Sequence, residues 1–288
     1  MIRKKFCLAV SLVMMFVWAV HCQTLSISYE KVNPGEIKDR LSRYKGADAE
    51  RGATLAQLFE DVGCKGRYLQ IRPVADADAP NVICTLPGET GDIIIVGAHF
   101  DRVDTGDGVA DNWSGASLLP SLYQSLQSQK RRHTLVFIGF SDEEEGFVGS
   151  RAFVRYMKKE NIQEVKAMIN LDTLGLGPTE VWASNSNATL VNWFFKVASS
   201  VDLPASIFNV DPYGDSDGSS FIRVGIPVIT LHTINRDNIA ILHSEKDAFA
   251  AIDLEDYYDS YRLIATYLAA LDQLADGLER SEEPAATQ

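Results

Sequence analysis

From residue 92 onward the chain alternates continuous apolar runs with stretches of helical period. DIIIVGAHF (92–100), HTLVFIGF (133–140), VKAMINL (165–171) and IPVITLH (226–232) are the runs, and 114–129, 147–160 and 187–200 are the helical stretches between them. A run without polar alternation suits a strand covered on both faces, and helices joining such strands give a parallel sheet. Upstream, helical spacing extends from Glu36 to Val62, split around Gly46 and Gly52 into EIKDRLSRY and TLAQLFEDV. A β-rich stretch follows and ends in NVICTLPGETGD, where Pro87 and Gly88 mark a turn. A last helix is predicted over 253–275, and beyond Gly277 the sequence LERSEEPAATQ reads as a frayed tail. Pro120 should kink the helix predicted after Ser114 or mark its first turns. The pattern predicts an α/β fold, a mixed, mostly parallel doubly wound sheet with helices on both faces, in a single domain spanning 23–278 with a flexible tail at 279–288.

The first 22 residues stand apart. Arg3, Lys4 and Lys5 precede an apolar stretch that ends in VHC, the layout of a secretory signal peptide, with a membrane anchor or a lipidated Cys22 as the alternatives. The expected location is secreted or periplasmic. Removing this segment takes away three of the 27 basic residues and none of the 39 acidic ones, so the remainder carries 24 against 39, a net −15. Nucleic acid and anionic membrane surfaces are poor partners for such a chain. Cys64 and Cys84 would remain in an oxidising compartment, as one disulfide or as two separate buried thiols.

Composition does not explain DEEEGFVGS at 142–150, where four acidic residues follow a buried strand. Like charges this close raise one another's pKa unless a cation or solvent relieves them. In a doubly wound sheet, chemistry collects outside the carboxyl ends of the strands. Other residues of metal-binding type stand at those ends. His99 and Asp101 follow the first run, Asp142, Glu143 and Glu144 the second, Asp172 the third, and His243 and Asp247 come after the last, with Asp111 in GVADNWSGAS just before a helix.

Together these residues resemble the M28 family of co-catalytic di-zinc aminopeptidases, from about Asn81 to Asp247. HFD matches the family's first ligand motif, DNWSG its D-x-x-S-G, EEEGFVGS its E-E-x-G-L-x-G-S with Phe147 in place of leucine, NLD its N-x-D, and HSEKD its H-[ST]-x-x-D. The resemblance implies a zinc exopeptidase fold of the phosphorylase/hydrolase-like type, with two Zn²⁺ per chain and peptide substrates. His99 and Asp172 would hold one ion, Glu144 and His243 the other, and Asp111 would bridge them. Glu143 would be the general base, and Asp101 and Asp247 would orient His99 and His243. Imidazole and carboxylate donors suit zinc, and also accept cobalt or manganese.

The remaining polar residues receive ordinary assignments. Asp142 and Glu145 are expected as solvated loop charges, His133 as structural and His232 as a pocket residue outside the ligand set. Asn187 in NAT fits a glycosylation site, whereas Asn112 in NWS lies in the proposed site and should be unmodified. SDGSSF (216–221) places Gly218 where the family often has histidine, which leaves the substrate pocket open, with Tyr213 or Asp215 available to contact substrate. The expected activity is removal of N-terminal residues from peptides. Alternatives are a single-zinc acyltransferase resembling glutaminyl cyclase, a non-catalytic binding module, and carboxypeptidase or dipeptidase specificity on the same metal core.

Overall fold

The computed structural model describes residues 27–274 apart from residue 158, so the predicted signal peptide (1–22) and tail (279–288) lie outside the described residues. The strands are β1 (Leu69–Arg72), β2 (Asn81–Leu86), β3 (Ile93–His99), β4 (Thr134–Phe140), β5 (Val165–Leu171), β6 (Thr179–Val181), β7 (Ala205–Ile207) and β8 (Val228–His232). They form one sheet in the order β1-β2-β4-β3-β5-β8-β6-β7. The four apolar runs are its parallel centre, β4-β3-β5-β8. β2 and β1 add antiparallel on one side; on the other, β6 pairs antiparallel with β8 and parallel with β7. The sheet is mixed and mostly parallel at its core, as predicted.

The helices are α1 (Pro34–Leu41), α2 (Asp48–Asp61), α3 (Ser114–Gln127), α4 (Val148–Tyr156), α5 (Lys159–Glu164), α6 (Ala188–Ser200), α7 (Gly218–Ile222) and α8 (Leu254–Gln273). Their starts follow local chemistry. Asn33 accepts from the N–H of Gly35 ahead of Pro34, Asn187 accepts from Thr189 and Leu190, and Asp253 accepts from Glu255 and Asp256. Pro120 does not interrupt α3, which runs unbroken through it with the proline buried inside. The single helix expected over 147–160 is two pieces, because the chain leaves helical geometry at Met157.

Residues on β3 and β4 divide between two apolar layers. Ile94, Val96, Ala98, Leu135 and Phe137 join the larger one, which α1, α2, α3, α6 and α8 cover; Ile95, Ile138 and Phe140 join the smaller one with Phe153 of α4 and Phe221 of α7. The chain leaves β3 through α3 to reach β4, then crosses back over the other face through α4 and α5 to β5. The two crossovers diverge at β3. That reversal opens a crevice at the carboxyl ends of β3 and β5.

Cys64 and Cys84 form a disulfide, which ties the end of α2 to β2. Closing a loop of this size typically stabilises a fold by ~2–4 kcal/mol. Among the described residues, no helix is long and apolar enough to cross a membrane.

Candidate metal centre

His99 is the last residue of β3, and its buried ring points into the crevice. Its Nε2 lies 3.2 Å from Asp111 Oδ1 and 3.9 Å from Asp172 Oδ1, and its Nδ1 faces Asp101 Oδ1 at 3.3 Å. The other oxygen of Asp101 accepts the backbone N–H of Glu144 at 3.0 Å. Asp101 therefore faces a ring from β3 with one oxygen and anchors the loop after β4 with the other.

Asp111 sits in the turn Val109–Trp113 that precedes α3, where the backbone is extended at Asp111 (φ −115°, ψ 91°) and not helical. Its two carboxylate oxygens diverge. Oδ1 faces His99, and Oδ2 lies 3.2 Å from His243 Nε2. Glu144 Oε2 reaches the same His243 nitrogen at 3.2 Å, while its Oε1 is buried without a hydrogen-bond partner. Asp172 follows β5, and its backbone N–H donates to Leu231 of β8. Next to it, Thr173 adopts φ 61° although it is β-branched; its N–H donates to Asn112 Oδ1, and its carbonyl accepts from Thr233.

The five ligand candidates and Glu143 therefore converge from five separate chain segments. Ligand atoms of His99, Asp111 and Glu144 lie within 4.8 Å of one another, as do those of His99, Glu143 and Asp172. The electrostatics are those of a concentrated negative site. Burial pushes Asp172 up to about 7, with Asp111 and Glu144 adding to the rise against His99. Glu143 is held well above the usual carboxylate range, by burial first and by neighbouring carboxylates after it. His243 is raised to about 10 by its contacts with Asp111 and Glu144. A buried Glu144 oxygen without a partner, and a carboxylate split between two imidazoles, fit divalent cations held by nitrogen and oxygen donors.

Two expectations need correction. Asp247 does not orient His243: its Oδ1 accepts from the N–H groups of Val109 (2.9 Å) and Ala110 (2.6 Å), and its Oδ2 from that of Asp111 (3.1 Å). Three backbone donors of one turn are a better match for a buried carboxylate than a half-exposed ring. Asp142 is not a solvated charge either. It is 5 % exposed, and its Oδ2 accepts from the Asp78 N–H at 2.8 Å, which fixes the loop beside the acidic run. Glu145 is exposed as expected.

The other histidines fall where expected. His133 packs against Asp272 at the far end of the sheet, where the Asp272 carboxylate accepts from the N–H groups of Arg132 and His133. His232 lines the pocket outside the ligand set; its Nδ1 accepts from Ile234 and its Nε2–H donates to Phe208, and burial lowers it to about 4. Asn112 is fully buried and hydrogen-bonded to Leu171, Gly115 and Thr173, which leaves no room for a glycan.

The pattern of known sequences agrees with this geometry. The model of peptidase family M28 matches residues 81–268. The chain belongs to peptidase family M28. A probable leucine aminopeptidase of Arthroderma benhamiae is 27% identical over 263 residues, which cover 83% of this chain and 73% of that protein. Among solved structures, the LapA aminopeptidase of Legionella pneumophila matches with a TM-score of 0.71 at 20% identity, covering 85% of this chain and 76% of that one. A Porphyromonas gingivalis glutaminyl cyclase matches with a TM-score of 0.67 at 19% identity, covering 82% and 97%. The structural likenesses show the fold, and membership in the M28 family makes the chain a zinc-dependent peptide hydrolase.

The crevice deepens beside the centre into a cavity of about 250 Å³. Part of its lining is carboxylate; an apolar wall comes from Trp182, Val210, Ile234, Ile239 and Leu242. The sequence carries no signal for this wall, because its residues come from loops and short turns after β6, β7 and β8, without periodicity. Tyr213 and Asp215 stand at its rim, with the Asp215 carboxylate turned back to accept from Ser216 and Ser219.

Proposed function

We propose that the chain is an aminopeptidase that removes N-terminal residues bearing large apolar side chains, with two zinc ions at the centre. The lining of the cavity carries this reading. Five carboxylates, Asp111, Glu143, Glu144, Asp172 and Asp215, line it, and no lysine or arginine does among the described residues. A carboxypeptidase must hold a substrate carboxylate, and the lining offers no basic side chain to pair with one. With zinc held by Asp111, Glu144 and Asp172, Glu143 and Asp215 remain as carboxylates outside the ligand set to face a free α-ammonium group. The apolar wall accepts the side chain, and His232, with both ring nitrogens occupied, adds no charge to it.

His99 and Asp172 would hold one zinc, Glu144 and His243 the other, and Asp111 would serve both. Bound zinc supplies Lewis acidity, which polarises the scissile carbonyl and lowers the pKa of water to about 7. Glu143 takes the proton of the attacking water and returns it to the leaving amine, the two transfers a positioned carboxylate performs. Asp101 fixes the orientation of His99 so that Nε2 faces Asp111 and Asp172. The diverging oxygens of Asp111 favour two ions over the single zinc of a cyclase reading, and the full set of ligands and base argues against a non-catalytic module. Secretion through the basic and apolar leader is part of the same proposal.

A panel of aminoacyl p-nitroanilides, their N-acetylated forms and peptides blocked at the amino end tests the reading, each assayed with and without chelator. Chelator-sensitive release from free leucyl and phenylalanyl substrates alone supports it. Turnover of blocked substrates at a comparable rate overturns it. Metal analysis giving one zinc per active chain replaces the two-ion centre with the cyclase arrangement.

A further inference from the structure

Arg51 is the fourth residue of α2 and is 0% exposed. Burying a guanidinium is costly unless something compensates it. Here no carboxylate lies within salt-bridge distance of Arg51 among the described residues; Asp48, Asp101 and Asp247 favour its charge from farther away, and its Nε has no hydrogen-bond partner. Instead Nη1 donates to the carbonyl of Asp107 at 3.0 Å and Nη2 to that of Gly108 at 2.8 Å, and the guanidinium lies over the Trp113 ring, 5.3 Å from its centroid. An apolar side chain of similar volume would fill this space without the desolvation cost, so packing does not account for an arginine. Its two-pronged hydrogen bonding does.

The two carbonyls belong to the loop that delivers Asp111. Gly108 turns that loop with φ 57°, a left-handed conformation that a side chain would strain and where a Cβ would come within 2.5 Å of Arg102. Immediately after it, the N–H groups of Val109, Ala110 and Asp111 are taken by Asp247. The loop is thus held from both sides, its carbonyls by a cation and its N–H groups by an anion. α2 also presses on the residue that follows β3. A Cβ on Gly52 would meet the Phe100 ring at 3.1 Å, and Phe100 lies between His99 and Asp101.

We propose that Arg51 is a positioning residue for the metal centre, its forked hydrogen bonds fixing the Asp107–Gly108 backbone and through it the placement of the Asp111 carboxylate. The inference rests on the reading of Asp111 as a shared zinc ligand. It assigns a role in the centre to a helix that precedes the span matched by the family, which begins at residue 81. Loss of the fork would leave the buried Gly108 carbonyl and the partly buried Asp107 carbonyl without these donors and let Asp111 drift, and small misplacements of a ligand are costly.

The test is a competitive chelator titration of the zinc-loaded enzyme and of Arg51→Met and Arg51→Lys, with melting curves to establish folding. Arg51→Met is expected to raise the zinc dissociation constant about ten- to a hundredfold, the size of effect seen when groups behind a ligand are removed. The kcat should fall with little change in KM, and Arg51→Lys should lie between the two. A folded Arg51→Met that binds zinc as the parent does overturns the proposal. If Arg51→Met does not fold, Arg51→Lys decides, and parent-like zinc affinity in that variant overturns it. Asp111→Asn is run alongside: undiminished zinc affinity there defeats the underlying reading of the centre, whereas weakened zinc with unchanged Arg51 variants defeats the role of Arg51 alone.

Discussion

Asp247 holds Asp111 by its backbone: its Oδ2 accepts the Asp111 N–H at 3.1 Å while Oδ1 takes the two preceding N–H groups. The contact sets where the turn begins, and the turn sets where the Asp111 oxygens point. Asp247→Asn keeps the volume but presents an NH₂ group to at least one backbone donor and removes the charge that strengthens the remaining bonds. The expected outcome is zinc binding weaker by about ten- to a hundredfold, read by chelator competition. The Val109–Asp111 amide resonances should shift directly, and the His243 ring should shift only through the displaced Asp111 carboxylate.

Glu143 and Glu144 are neighbours with different surroundings. Glu144 Oε2 lies 3.2 Å from His243, whereas Glu143, within 4.8 Å of His99 and Asp172, makes no ion pair with a histidine among the described residues. Glu143→Gln should therefore retain zinc and lose about 10²–10⁴-fold in kcat, the usual worth of a positioned proton carrier. Glu144→Gln should lose metal first and activity with it. Zinc analysis of the two purified variants, beside their rates on a leucyl substrate, separates the roles. Equal zinc loss in both would make Glu143 a ligand.

The contrast between these residues also shows what could be read from the sequence. The parallel centre was legible because β3, β4, β5 and β8 are covered on both faces and must be continuously apolar. The ligand candidates were legible because such strands deliver their carboxyl ends to one crevice. β6 and β7, three residues each, carry too little pattern to be seen. Asp247 was placed near the centre but on the wrong partner, since a spacing of four from His243 says nothing about three N–H groups far earlier in the chain. Asp142 looked solvated because the run around it is acidic, while its actual partner is the backbone of Asp78. Arg51 gave no signal, as a lone arginine in an amphipathic helix normally faces water.

The apolar wall makes a prediction about selectivity. Leu242 and Ile239 are half-buried and line the cavity next to His243. Truncation by Leu242→Ala removes contact with a bulky substrate side chain and should not affect a small one. The ratio of kcat/KM for leucyl over alanyl p-nitroanilide should fall by about tenfold or more, within the range that methylene-sized losses produce in apolar pockets. Ile239→Glu should instead improve turnover of lysyl substrates relative to leucyl ones. If neither ratio moves, the side chain is bound elsewhere.

His232 gives the zinc-free chain a defined acid sensitivity. Burial lowers it to about 4, and its neutral ring is fixed by accepting from the Ile234 N–H and donating to the Phe208 carbonyl. In the unfolded chain it titrates near 6.5, so between these values the unfolded state binds the extra proton. The stabilisation is therefore complete above about pH 6.5, shrinks as pH falls and is gone below about 4, an upper limit on the order of 3 kcal/mol. Urea unfolding of the chelator-treated protein should show this loss between pH 7 and 4, superposed on that of other groups. A His232→Gln variant should be less stable at pH 7, through poorer hydrogen bonds, yet lose less of its remaining stability on acidification. Parallel pH profiles for the two proteins would mean that the ring is protonated in the folded state, and the apolar wall would then carry a positive charge at acid pH.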